Sequence, residues 1–193
     1  MNRILGLIVL LVLFGCGGQQ GQQEEEFTPA TVAAVNYPLA YFAERLGGNL
    51  VNVEFPVPAG VDPAFWTPGE EELEVFTEAD IILKNGAGYA KWIEQSSVPK
   101  SKIINTSDKL KDRFIAIEEE AGMSGFASTT WLDFELARSQ ARAIHDALLQ
   151  HFPEKVEDLT IRYKQLAVEL EMFDRKLIEF SKSSPKGTAL VAS

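Results

Sequence analysis

The stretch Thr31–Phe55, "TVAAVNYPLAYFAERLGGNLVNVEF", decides the fold. It opens on "TVAAVN", a short apolar run of the kind that forms a buried strand. Pro38 follows where the first turn of a helix is expected, a position at which its missing N–H costs nothing. Leu39, Phe42, Ala43 and Leu46 then recur on one helical face, and Gly47-Gly48 ends the helix. "LVNVEF" carries β-branched residues and reads as a second strand.

The alternation continues downstream. Pro56 to Pro68 is a loop, and a helix is expected from about Gly69 to Ala79. Its first turn holds Glu70, Glu71 and Glu72, which suits the positive end of the helix dipole. "DIILK" is a third strand that turns at "NGAGY". A short helix around Trp92 leads to "KIINT", a fourth strand. Strands alternating with helices predict the α/β class with a parallel sheet, and ligands at the carboxyl ends of its strands. The Pro56–Pro68 loop and the Asn85–Tyr89 turn lie at such ends.

Lys109 to Thr130 carries two glycines and the triplet Glu118–Glu120, and is expected to be mostly loop. From Asp133, a suitable N-cap, the chain reads as helix until Pro153. A second long helix is expected from about Glu154 to Lys182. Its apolar residues Val156, Leu159, Tyr163, Leu166, Leu170, Phe173, Leu177 and Phe180 step by three and four along one face. Such a helix is about 43 Å long at a rise of about 1.5 Å per residue. It reads equally as a coiled-coil strand or as a spine along a domain. "SSPKG" is then a turn, and "TALVAS" begins a new strand.

The N-terminus does not belong to the folded unit. Asn2 and Arg3 precede the eleven-residue apolar run Ile4 to Phe14, "ILGLIVLLVLF". A bilayer span takes about 20 residues, so this run has the length of a secretory signal core. The single cysteine, Cys16, follows in "LFGCGG" and has no partner for an internal disulfide. The arrangement resembles a bacterial lipobox, with Phe14 bulkier than is usual there; the resemblance implies cleavage before Cys16 and lipid on its sulfur. "GGQQGQQEEE", Gly17 to Glu26, is polar and of low complexity and reads as a flexible tether.

Composition narrows the function. The chain of 193 residues carries a net charge of −10, which argues against nucleic-acid binding. No Ser-His-Asp set, phosphate-binding glycine loop or paired histidines suggest an enzyme. The Asn85-Gly86-x-Gly88 turn lacks dinucleotide-fingerprint spacing. His145 and His151 are six apart, whereas helical chelation needs a spacing of three or four. His145 is expected at the surface or between helices, and His151 at a helix end. Asp62 and Asp133 read as turn and cap residues, and the glutamate triplets as solvated charge.

Taken together, "VNYPLAYFAERLGGNLVNVEFPVPAGVDP", "ADIILKNGAGYAKWIE", "TTWLDFELARSQARAI", the long helix and "GTALVAS" resemble the solute-binding lipoproteins of metal ABC importers, the zinc and manganese binders. The likeness runs over nearly all of Thr31 to Ser193. It implies a signal peptide over 1–15, a lipid-anchored tether over 16–30 and an N-terminal α/β lobe over 31–152. A long spine helix is implied over 153–184, and the start of a second lobe over 185–193, most of that lobe being expected to be missing.

The resemblance also implies where metal ligands should stand. The first follows the Asp-Pro of the loop, and here that position is Ala64. The second lies two residues before the Trp of Trp-Leu-Asp, and here it is Thr129. The third follows the Ser that ends the first strand of the second lobe, and the sequence ends at Ser193; the fourth lies further on. A methyl and a hydroxyl do not replace the imidazole and carboxylate that zinc prefers. No metal or other cofactor is therefore expected on this chain, although zinc or manganese is the family's ligand. Asp62, Phe65, Trp66, Asn85 and Trp131 are expected to line the cleft. Of these, Phe65, Trp66 and Trp131 should pack beneath their turns.

The function implied is a membrane-tethered component of a metal ABC importer that no longer binds metal, with an importer permease as partner. The alternative is a lipid-anchored interaction protein. That reading has the long helix presented to a partner, including a second copy through the stripe from Val156 to Phe180.

Overall fold

The structure is a computed structural model that describes residues 27–118 and 124–185. The expected signal sequence, Cys16, the expected tether before Phe27 and the expected "TALVAS" strand lie outside the described residues.

The apolar runs become a four-stranded parallel sheet. Its strands are β1 (Ala30–Ala34), β2 (Val51–Glu54), β3 (Ile81–Lys84) and β4 (Ile103–Asn105), in the order β2-β1-β3-β4. Val32 is in register with Val53 on one side and Ile81 on the other, and Ile82 with Ile103. β1 is buried almost throughout because helices cover both faces of the sheet, which is why its sequence is continuously apolar. The chain leaves β1 toward β2 and then crosses back to β3, so the strand order reverses between β1 and β3.

Helix α1 (Tyr37–Gly47) begins where Asn36 Oδ1 accepts from the Leu39 N–H, with Pro38 in its first turn. Leu39, Phe42, Ala43 and Leu46 are buried, as their spacing requires. It ends at Gly48, whose φ of 55° favours glycine and where a Cβ would collide with the Arg162 guanidinium. Helix α2 (Glu70–Glu78) buries Phe76, and Glu72 reaches back to accept from the Gly69 N–H. A short α3 (Trp92–Gln95) follows β3.

The segment expected to be mostly loop contains an antiparallel hairpin of β5 (Ala116–Glu118) and β6 (Ser124–Phe126), with Ala116 opposite Phe126. Ile115, Ile117 and Phe126 are exposed. Strands of three residues each are too short to give a period-two signal.

Asp133 caps α4 (Phe134–His151) as expected, accepting from the N–H groups of Glu135 and Leu136. Pro153 separates it from α5 (Val156–Ser183). His145 is buried between α4 and α5, with its ring 5.1 Å from that of Tyr163, and His151 ends α4. The Arg142 guanidinium lies over the same Tyr163 ring at 5.0 Å.

The apolar stripe of α5 is only partly used. Leu159, Leu166 and Leu170 are buried and Tyr163 is partly covered, but Val156, Phe173, Leu177 and Phe180 are exposed. Cover ends near Leu170. There Arg45 of α1 donates to Glu169 at 2.7 Å, and Phe173 stacks on Phe134 of α4 at 5.9 Å. Ile161, Val168 and Met172 are exposed as well. No helix among the described residues is long and apolar enough to cross a membrane.

Candidate functional site

The loop after β2 makes a tight turn around Asp62. Its carbonyl accepts from the N–H groups of Phe65 and Trp66, and its carboxylate from that of Ala64 at 2.9 Å. Asp62 therefore holds the turn, as the sequence suggested, and is not among the residues that line the cavity described below. The turn sends its two aromatic residues in opposite directions. Trp66 packs inward, edge to face on Trp92 at 6.1 Å, and Trp92 in turn meets Phe76 at 4.9 Å. Phe65 was expected beneath the turn, but it is 87% exposed. Adjacent residues of a tight turn project apart, and Trp66 takes the inward place.

The turn after β3 is built from left-handed backbone. Gly86, Ala87, Gly88 and Ala90 have φ of 81°, 50°, 77° and 51°. A Cβ on Gly86 would lie 2.5 Å from Asn105 Oδ1, so glycine is required there for space as well as conformation. Ala87 and Ala90 are the two non-glycine residues with positive φ among the described residues, a conformation that costs an L-residue about 1 kcal/mol.

Asn85 was expected to line the cleft, but it is fully buried. Its Oδ1 accepts from Asn36 Nδ2 at 3.2 Å and from Gln140 Nε2 at 3.1 Å, with Thr130 Oγ1 at 3.5 Å. Its Nδ2 donates to the Ser128 carbonyl at 2.8 Å. Gln140 also donates to Thr106 and Ser107, each at 3.1 Å. These groups fill the place where the strand order reverses, so polar side chains rather than a ligand occupy that crevice. A helical glutamine on the buried face of α4 was the sequence signal for this network.

The open space lies to one side of that plug. A cavity of about 890 Å³ is bounded by Ala64–Thr67 of the first loop, Ala87–Tyr89 with Lys91 and Trp92 of the second, and the β5–β6 hairpin with Ser128. Ala64 and Ser128 line it, and Thr129 is exposed beside Ser128. Trp131 does not line it. Its ring meets Tyr89 edge to face at 5.4 Å, and its other side borders a smaller apolar groove between α1 and α5. Burial pushes the Tyr89 phenol up to about 12, and the Asp62 carboxylate adds to the effect.

Among the described residues that line the cavity there is no histidine, cysteine, aspartate or glutamate. Among the described residues there is also no group of three or more such side chains that could hold a metal ion. The described walls offer aromatic faces, the hydroxyls of Thr67, Tyr89 and Ser128, and the Lys91 ammonium.

Comparison with known proteins gives a consistent result. The family model described as zinc-uptake complex component A, periplasmic (ZnuA) matches residues 32–193. The manganese-binding lipoprotein MntA of Halalkalibacterium halodurans is 24% identical over 156 residues, covering 78% of this chain and 49% of that protein. The manganese ABC transporter substrate-binding lipoprotein ScaA of Streptococcus gordonii is 21% identical, covering 100% of this chain and 66% of that one. Among solved structures, the periplasmic zinc-binding protein TroA of Treponema pallidum superposes with a TM-score of 0.71 at 20% identity. That match covers 82% of this chain and 57% of TroA. The chain spans about half to two thirds of the length of these curated relatives.

Proposed function

The chain belongs to the ZnuA family of metal ABC transporter substrate-binding proteins, and from that premise we propose that it is a lipid-anchored solute-receptor lobe of an importer whose cleft has lost its metal ligands. The observation that carries this reading is the chemistry of the cavity at the carboxyl ends of the strands. It keeps the two loops at which the family's ligands are implied, and its described lining residues carry no imidazole, thiolate or carboxylate. Ala64 stands at the first position where a family ligand is implied, and exposed Thr129 at the second. The lobe over 31–152 and the helix over 153–184 are then the parts that present this cleft. The relatives are transport proteins, which supports a role without catalysis.

In this reading Cys16 carries the lipid, the following residues tether the lobe outside the membrane, and an importer permease is the partner. The test is thermal unfolding of the full chain in zinc or manganese. A metal bound by the folded state raises the melting temperature in proportion to the logarithm of its concentration. The expected result is no metal-dependent rise, and a rise of several degrees at micromolar metal would sink the reading.

A second reading has one observation of its own. Phe173, Leu177 and Phe180 continue the packed stripe of α5 into solvent. An apolar stripe of this kind marks an interaction surface, and the partner proposed is a second copy of the chain.

A further inference from the structure

We propose that a second cavity, along the free edge of β4, binds an α-acylamino carboxylate, the group that ends a short peptide. The site shares no lining residue with the cleft and stands whether or not metal ligands have been lost there.

The fold opens this edge. β4 ends the order β2-β1-β3-β4, so one of its sides has no neighbouring strand. A cavity of about 760 Å³ is lined there by Ile103, Ile104 and Asn105 in succession. Successive residues of a strand point to opposite faces, so a cavity that all three line runs along the edge and reaches the backbone. Its other walls are Asp108, Lys109 and Leu110 of the turn after β4, one face of α4 from Arg138 to Asp146, and Tyr163 of α5.

The backbone supplies a matched pair of hydrogen-bonding groups. The Thr106 N–H donates to the Lys84 carbonyl at 2.9 Å, so Thr106 and, two residues back, Ile104 turn their backbone polar groups toward β3. Alternation directs those of Ile103 and Asn105 outward. The Ile103 N–H donates to the Lys100 carbonyl, which leaves the Ile103 carbonyl as acceptor and the Asn105 N–H as donor. These two groups bracket one residue of an added parallel strand, its N–H meeting Ile103 and its carbonyl oxygen meeting Asn105. Where that residue is the last of a peptide, the oxygen belongs to a carboxylate.

Charge favours that ending. Lys109 lines the cavity and makes no hydrogen bond or ion pair with another described residue. It only adds to the field at Asp108, whose carboxylate Lys111 holds at 2.8 Å. The other carboxylate of the wall, Asp146, is shared between Arg142 Nε and His145 Nδ1, each at 3.0 Å. Arg142 lies over the Tyr163 ring, and Arg138 reaches Glu171 at 3.7 Å. Both wall carboxylates are therefore already paired, and Lys109 is the cation left for the carboxylate of a ligand. Ile104, Leu110 and Ala143 give the wall an apolar part that suits a branched aliphatic side chain, and the volume lies within the range of small-molecule sites.

The probe is N-acetyl-L-leucinate, titrated into the full chain labelled with nitrogen-15, with backbone amides as reporters. The Asn105 amide signal should move to saturation, with a dissociation constant of about 1 mM or tighter, while the amides of β2, the opposite edge of the sheet, stay in place. Two analogues take the site apart. N-acetyl-L-leucinamide lacks the charge, and 2-acetoxy-4-methylpentanoate carries an ester oxygen in place of the N–H. Each should bind about fivefold more weakly or worse. Lys109→Gln should weaken the carboxylate by a similar factor and leave the leucinamide unchanged. Lys109 is exposed, so the substitution does not threaten the fold. An acetylated tetrapeptide ending in leucine separates the two sources of the group: tighter binding than the probe marks a peptide end, and equal or weaker binding an acylated amino acid.

Four results would each overturn the proposal: no saturable Asn105 shift up to about 20 mM, an equal shift at β2, either analogue binding as well as the probe, or unchanged binding of the carboxylate in Lys109→Gln.

Discussion

Asn36 Nδ2 donates to Asn85 Oδ1 at 3.2 Å, joining the ends of β1 and β3 where the strand order reverses. The same Asn85 carries the Ser128 carbonyl, so one buried amide fixes two sheet strands and the segment leading to Thr129. The cleft is thus held in shape by groups that do not touch its contents.

Replacing Asn85 by Leu leaves the Asn36 amide and the Ser128 carbonyl without this partner, while Gln140 keeps Thr106 and Ser107. Each buried polar group left alone costs about 1–3 kcal/mol, and a total loss of about 3 kcal/mol is expected after relaxation. Thr129→Ala, at an exposed position, should change stability by less than about 0.5 kcal/mol. Urea unfolding of the two variants checks both. Equal midpoints would show that the network is not what holds the loops.

The Tyr89 phenol gives a pH signature. Its folded-state value, pushed up to about 12 by burial and by Asp62, lies above the ordinary value of about 10. The neutral form is therefore favoured by folding. Its contribution is fully present below pH 10 and is lost as pH rises from about 10 through 12, in total about 2–3 kcal/mol. Tyr89→Phe should flatten that part of the stability profile. A wild-type profile no steeper than that of the variant would contradict the assignment.

The later turns of α5 are expected to drive association. Phe173 and Phe180 are 53% and 56% exposed, on a face that is packed further back at Leu166 and Leu170. Sedimentation should show concentration-dependent dimers of the full chain, and Leu177→Lys with Phe180→Lys should return it to monomer without lowering the melting temperature. A wild-type chain that stays monomeric at every concentration would remove the self-association reading.

Most of the architecture was legible because its elements are locally consistent. Asn36, Pro38 and Gly48 punctuate α1, Asp133 caps α4, and the runs "VAAV" and "IIL" are buried throughout. The β5–β6 hairpin was not legible, because strands of three residues carry no pattern. Neither was the fate of Phe65 and Asn85. Which of two neighbouring aromatics turns inward is set by turn geometry, and whether an asparagine after a strand faces solvent or core depends on what α4 brings to it. Cover on α5 ends near Leu170 because a helix of 28 residues runs on past the elements that pack on its first half.

Anchoring predicts a chemical mark. Growth with a fatty-acid analogue should label the wild-type chain and leave Cys16→Ser unlabelled, because Cys16 is the only sulfur nucleophile in the sequence. Equal labelling of the two would place the lipid elsewhere.

The central claim is that this lobe keeps the loops of a metal receptor without its ligands. Calorimetric titration of the full chain with zinc, beside the double variant Ala64→His and Thr129→His, tests it most directly. The wild type should show no tight complex. The variant should show at most weak binding, because two imidazoles leave the rest of the coordination shell to water. A tight one-to-one zinc complex of the wild-type chain would contradict the account.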